Sequence, residues 1–144
     1  MTTTTTLTAP STRPATARSG KAGHLWRTGA MAGLAASVAT SAFAALAHAV
    51  GVPLKISGEA IPPAGFAQLT FVAVIVGTIL AVGLAHRAAR PRHTFVNTTV
   101  VLTLLSIVPD ALVDASVATK LTLALTHVVA AAIVIPVLAS RLTD

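Results

Sequence analysis

The chain has 144 residues, of which 54% are apolar, 10% charged and 3% aromatic, and its mean hydropathy is +0.82. A soluble domain carries about 25% charged residues to keep its surface wetted. Ten basic and four acidic side chains cannot do that, so the sequence reads as a one-domain integral membrane protein. No cysteine is present, which excludes disulfides, thiolate metal sites and cysteine nucleophiles together.

Residues Met1 to Gly23, MTTTTTLTAPSTRPATARSGKAG, have Leu7 as their one large aliphatic side chain. Such a stretch buries too little to offset its ordering entropy and reads as a disordered cytoplasmic tail. An organelle transit peptide has a similar composition, but no amphipathic helix or cleavage pattern accompanies it.

Four apolar runs follow. Thr28 to Val50 is uncharged over 23 residues, roughly 34 Å as a helix and enough for a hydrocarbon core of about 30 Å. Ala64 to His86 is equally long, with VAVIVGTILAVGL at its centre. The third run begins near Thr94, and to span it has to pass from about Phe95 through Pro109 to Val113. Proline removes one helical hydrogen bond, so a kink is expected at that point. The fourth, Thr119 to Ser140, carries Lys120 at its start and Pro136 near its end. The runs are continuous rather than alternating, which argues against a membrane β-barrel. The expected fold is all-α, with transmembrane helices at about 28–50, 64–86, 95–113 and 119–140.

Charge sets the orientation. Arg13, Arg18, Lys21, Arg27, Arg87, Arg90, Arg92 and Arg141 fall on one side of these spans, and only Lys55 and Lys120 on the other. The positive-inside rule puts both termini in the cytoplasm of a plasma-membrane protein, and an even number of spans requires the termini to share a side. The net charge of +6 is therefore a topology signal, and nucleic acid is not an expected partner. Ala47-His48-Ala49 closes the first run like a signal-peptide cleavage site, but the run exceeds the usual apolar length of such peptides, so a retained helix is expected.

Polar residues inside the spans mark faces that turn away from lipid. Gly29, Gly33, Ser37 and Ser41 recur at i+4 on the first helix. Small residues on one stripe permit close helix approach, either in a homodimer or, as preferred here, against the second or fourth helix, where Gly77 and Ala130-Ala131-Ala132 offer a matching surface. At the outer ends, Asp110 and Asp114 share a face, Lys120 opens helix four, and His127 lies two turns deeper. His48 and Gln68 complete this candidate polar cluster. Its plain reading is structural, with Lys120 paired to Asp110 or Asp114 and His127 bonded to a neighbour. Its sharper reading is an outward pocket for a proton, cation or small ligand, with His127 and Asp110 innermost.

No catalytic, cofactor or metal motif is present. Ser106 and Ser116 flank the acidic pair without a GxSxG elbow, and neither HExxH nor a phosphate-binding glycine loop occurs. Arg87, Arg90 and Arg92 in HRAARPRH are candidate contacts to anionic lipid.

The start of helix two, IPPAGFAQLT, the junction RPRHTFV, the segment SIVPDAL and the helix ATKLTLALTHVVAAAIVIPVLA resemble, from about Gly23 to Leu142, the family called domain of unknown function 6069. That resemblance implies a small four-helix actinobacterial membrane protein and carries no assigned activity, so no catalytic residue transfers. The expected role is a non-enzymatic interaction or accessory protein in the lipid bilayer, with a homo-oligomer or another membrane protein as partner. The alternative is a small transporter or a ligand- or proton-binding protein using the outer cluster.

Overall fold

The computed structural model describes residues 16–144, with side chains from Gly23 onward. Four helices account for most of it: α1 (Thr16–Ala49), α2 (Pro63–Arg87), α3 (Pro91–Leu112) and α4 (Val117–Ala139). Each contains a stretch long and apolar enough to cross a membrane, the one in α1 being Gly23–Ala49. A short hairpin, β1 (Lys55–Ile56) and β2 (Glu59–Ala60), joins α1 to α2.

The helix starts follow local chemistry. Pro63 and Pro91 stand at the first positions of α2 and α3, where a missing N–H costs nothing and the fixed φ suits the helix. Ser116 caps α4, its Oγ accepting from Thr119 N at 3.2 Å, which satisfies one of the orphan donors of the first turn. The hairpin turns on Ser57 and Gly58, both at positive φ (50° and 85°), as a two-residue type I′ connection requires.

Helix α3 begins four residues before the expected Phe95. Beyond Pro91, Arg92 N and His93 N donate to the carboxylate of Asp144 at 2.8 and 3.3 Å, and this anion at a helix N-terminus completes the first turn. Its 22 residues give about 33 Å, so α3 reaches across without Val113, which instead caps its C-terminus with N bonded to Pro109 O at 3.0 Å. Helix α1 extends back to Thr16, into the end of the segment read as a tail, where Ala17, Arg18, Lys21 and Ala22 are good helix formers. The remainder of that tail lies outside the described residues.

Small side chains fill much of the interior, around a few large ones of which Phe95 and Leu138 are fully buried. Ala32, Ala36, Ala44, Ala81, Thr40 and Thr78 are buried between helices, whereas Leu34, Val38, Leu69, Ile79, Leu104 and Leu105 face outward. Apolar side chains gain nothing by leaving lipid, so close backbone approach and internal hydroxyl bonds do the packing. Helix α1 packs on both α2 and α4, and α3 lies at the edge: 6% of its spanning stretch is buried, against 33% for α1.

The small-residue stripe packs within the chain, on α2. A Cβ at Gly29 would collide with Thr78 Oγ1, one at Gly33 would press on Phe71 and Val74 at 3.2–3.3 Å, and Ser37 Oγ donates to Ala67 O at 3.1 Å. Ser41 Oγ, the fourth member, is buried without a partner. Gly77 does not receive the stripe, since nothing lies within 4 Å of a Cβ built there.

Candidate functional site

The hairpin, the start of α2, the end of α3 and the start of α4 meet at one end of the bundle, tied by Ser57 N donating to Asp114 O at 2.8 Å. Every member of the expected outer cluster is at this end, but only two of them form a pair. His127 Nδ1 lies 3.0 Å from Asp110 Oδ2, joining α4 to α3 in the one contact between a basic and an acidic side chain among the described residues. The side chains retain 38% and 16% of their accessible surface respectively, so Asp110 is the more enclosed of the two.

Lys120 corrects the expected scheme. Its Nζ donates to the carbonyl of Ala111 at 2.9 Å and forms an ion pair with neither aspartate. The last turn of α3 leaves carbonyls without helical donors, and the long lysine stem reaches one of them more readily than a carboxylate that faces inward. Asp114 has an exposed side chain and contributes its backbone oxygen to the hairpin instead. His48 is exposed, with Nδ1 3.3 Å from Val52 O, and Gln68 is exposed. Neither joins the pair.

Proton accounting at His127 is specific. Nδ1 is also 3.0 Å from Leu123 O. A carbonyl can only accept, so Nδ1 carries the hydrogen and donates it back along its own helix. Asp110 Oδ2, sealed from solvent, then has no aligned donor.

Two cavities flank this pair. One, about 330 Å³, runs between α2, α3 and α4, with Gly77, Leu80, Phe95, Thr103 and Val134 among its walls. The other, about 240 Å³, lies beneath the hairpin, with Ile56, Ile61, Phe66, Asp110 and Leu123 in its lining. They adjoin at Thr70, Ala73, His127 and Ala130, which line both. The hydroxyl groups of these walls are already engaged: Thr99 donates to Phe95 O at 2.7 Å, Thr103 to Thr99 O at 2.8 Å and Ser106 to Thr103 O at 2.7 Å. Thr70 Oγ1 shares a 3.0 Å bond with the buried Thr40 Oγ1 of α1.

At the opposite end Arg87 closes α2, Arg90 caps α3 and Arg92 occupies its first turn, all exposed. Two structural features there and at the hairpin carry little sequence signal. Ser-Gly between two short extended pairs was a sign of the turn, but nothing in the sequence tied Asp144 to α3.

A family model, that of the family of unknown function DUF6069, matches residues 20–144. The match covers most of the chain, which therefore belongs to that family. No curated protein and no solved structure matches it.

Proposed function

We propose that this member of the family sits in the plasma membrane with both termini in the cytoplasm and serves as a non-enzymatic accessory protein whose Asp110–His127 pair receives a proton or small ligand from the outer side. One observation carries the reading. Asp110 Oδ2 is closed off from water beside His127 Nδ1, but that nitrogen's hydrogen is spent on Leu123 O and Lys120 is occupied with Ala111 O. A carboxylate at such a position costs stability until a proton or cation joins it. Local rules are broken at a cost mainly where function needs it.

Orientation rests on charge. Arg27, Arg87, Arg90, Arg92 and Arg141 gather at the end opposite the pair, and cytoplasmic loops hold the excess of basic residues. The same arginines, at headgroup level, suit anionic lipid. The binding rather than catalytic role is supported by the two serines nearest the acidic residues: Ser106 is bonded to its own helix and Ser116 caps α4.

Thermal unfolding in detergent tests the reading. If the pair is a binding site, Asp110→Asn keeps or raises the melting temperature, because an uncompensated carboxylate is removed. If the pair is a structural strut, the same change costs about 1–3 kcal/mol, and that outcome overturns the proposal. His127→Ala removes a hydrogen bond made within α4 and is expected to cost no more than about 0.6 kcal/mol, the typical worth of a hydrogen bond in a membrane bundle.

A further inference from the structure

We infer that a second copy of this chain docks on α3, through a seam of Asn97, Val101, Leu104 and Val108. The inference goes beyond the binding reading above and is independent of it, since neither Asp110 nor His127 belongs to the seam.

Polarity singles out the face. Through residues 31–47 of α1, 69–85 of α2 and 121–137 of α4, every exposed residue is apolar or glycine. On α3 the exposed Asn97 breaks that rule. It stands six residues beyond Pro91, about 9 Å along the helix axis, which is inside the hydrocarbon when the 22 residues of α3 cross it. Its amide is poorly spent. Nδ2 reaches His93 Nδ1 at 3.5 Å, the long edge of a hydrogen bond. Oδ1 and the second N–H of Nδ2 have no protein partner among the described residues. Lipid tails offer them none, and a polar group in that position is satisfied by another helix.

Spacing extends the face. Val101, Leu104 and Val108 follow Asn97 at steps of four, three and four residues, the heptad rhythm of a two-helix seam with asparagine at one inward position. The three are 61%, 62% and 49% exposed, so no helix of the same chain fills the seam. Helix α3 is also the least covered of the four spans.

Symmetry selects the occupant. The charge bias inserts every copy in the same sense, so the α3 helices of two copies run parallel. A twofold axis along the membrane normal then sets each seam residue against its own twin. An asparagine amide holds both an acceptor and two donors, so it complements a second asparagine at the same depth. A charged side chain would repel its twin there. Valine and leucine have only to interdigitate, which gains packing but no burial relative to lipid.

The test uses the full chain in liposomes of zwitterionic lipid. The sequence has no cysteine, so Ser57→Cys in the exposed hairpin turn takes a donor or an acceptor dye, and energy transfer on dilution with lipid reads the dimer dissociation constant. Asn97→Leu should raise that constant about tenfold, the scale of hydrogen bonds lost from a model membrane dimer. Asn97→Gln, which keeps the amide, should retain the dimer, and Leu125→Ala, on the exposed side of α4, should leave the constant unchanged. Oxidative cross-linking in membranes reads the geometry with no change at Asn97, and so decides even if Asn97→Leu misfolds. Val101→Cys should give a disulfide-linked dimer, whereas Leu102→Cys, turned toward the larger cavity whose wall it forms, should not. A chain that stays monomeric at the highest protein-to-lipid ratio overturns the inference. So does an Asn97→Leu dimer as tight as the wild type, or cross-linking at Leu102→Cys or Leu125→Cys in preference to Val101→Cys.

Discussion

The sharpest structural test is a single methyl group placed at Gly29. A Cβ there would overlap Thr78 Oγ1 and stand 2.7 Å from Thr78 Cγ2 and 3.0 Å from Thr78 Cβ. Thr78 is almost fully buried, and its Oγ1 is held by Val74 O at 2.8 Å, so it cannot swing aside without breaking that bond. Helices α1 and α2 must move apart, and overpacking of this kind costs about 1–3 kcal/mol. Gly77→Ala is the internal control: its Cβ meets nothing within 4 Å, so the gain in helix propensity should leave stability equal or higher by up to about 1 kcal/mol. Thr78→Ala removes both closest atoms and should rescue Gly29→Ala, with a coupling of about 1 kcal/mol or more in a double-mutant cycle. Unfolding in detergent micelles reads the stabilities, and native mass spectrometry in parallel reads the oligomeric state. If Gly29→Ala leaves monomer stability intact but dissolves a dimer, the stripe serves a second copy and the intrachain packing is wrong.

Sequence periodicity made the four spans visible because hydrocarbon imposes one rule on the whole length of a helix: no charge between Thr28 and Val50, nor along most of Ala64 to His86. The boundaries were less visible where a distant residue decides them. Helix α3 starts at Pro91 with its first N–H groups bonded to Asp144, 52 positions away in the chain, and no local pattern in RPRHTF reports such a partner. The Asp110–His127 pair was legible as two polar residues at similar depth. Its isolation from Lys120 was not, because charge counting pairs opposite signs without knowing that a helix end offers lysine a free carbonyl closer by. The cavities beside the pair were invisible for a related reason: Ala73, Gly77 and Ala130 signal close packing in composition alone, and only their placement turns the same small side chains into open volume.

Three further predictions follow from these contacts. A cysteine at Ser57, in the hairpin turn, should react with an impermeant thiol reagent in intact cells and one at Ala89 should not; the reverse labelling would overturn the charge-based orientation. Asp144→Asn should cost about 0.5–1 kcal/mol in detergent unfolding, the worth of a charged acceptor at a helix N-terminus, and an unchanged stability would show that the Arg92 and His93 amides find another partner. The last concerns Lys120, where two schemes differ in sign of coupling rather than in size of loss. As the donor to Ala111 O, Lys120 contributes one partly exposed hydrogen bond, so Lys120→Ala should cost about 1 kcal/mol or less. An ion pair with Asp110 or Asp114 would predict a similar single loss. It would also predict that Asp110→Asn or Asp114→Asn, combined with Lys120→Ala, recovers part of that loss, because removing the second charge relieves the first. With no such pair formed, the double variants should be additive within about 0.5 kcal/mol. Recovery in either double variant would show that the lysine neutralises that aspartate after all, and Asp110 in particular would then have its cation from within the chain and no need of one from outside.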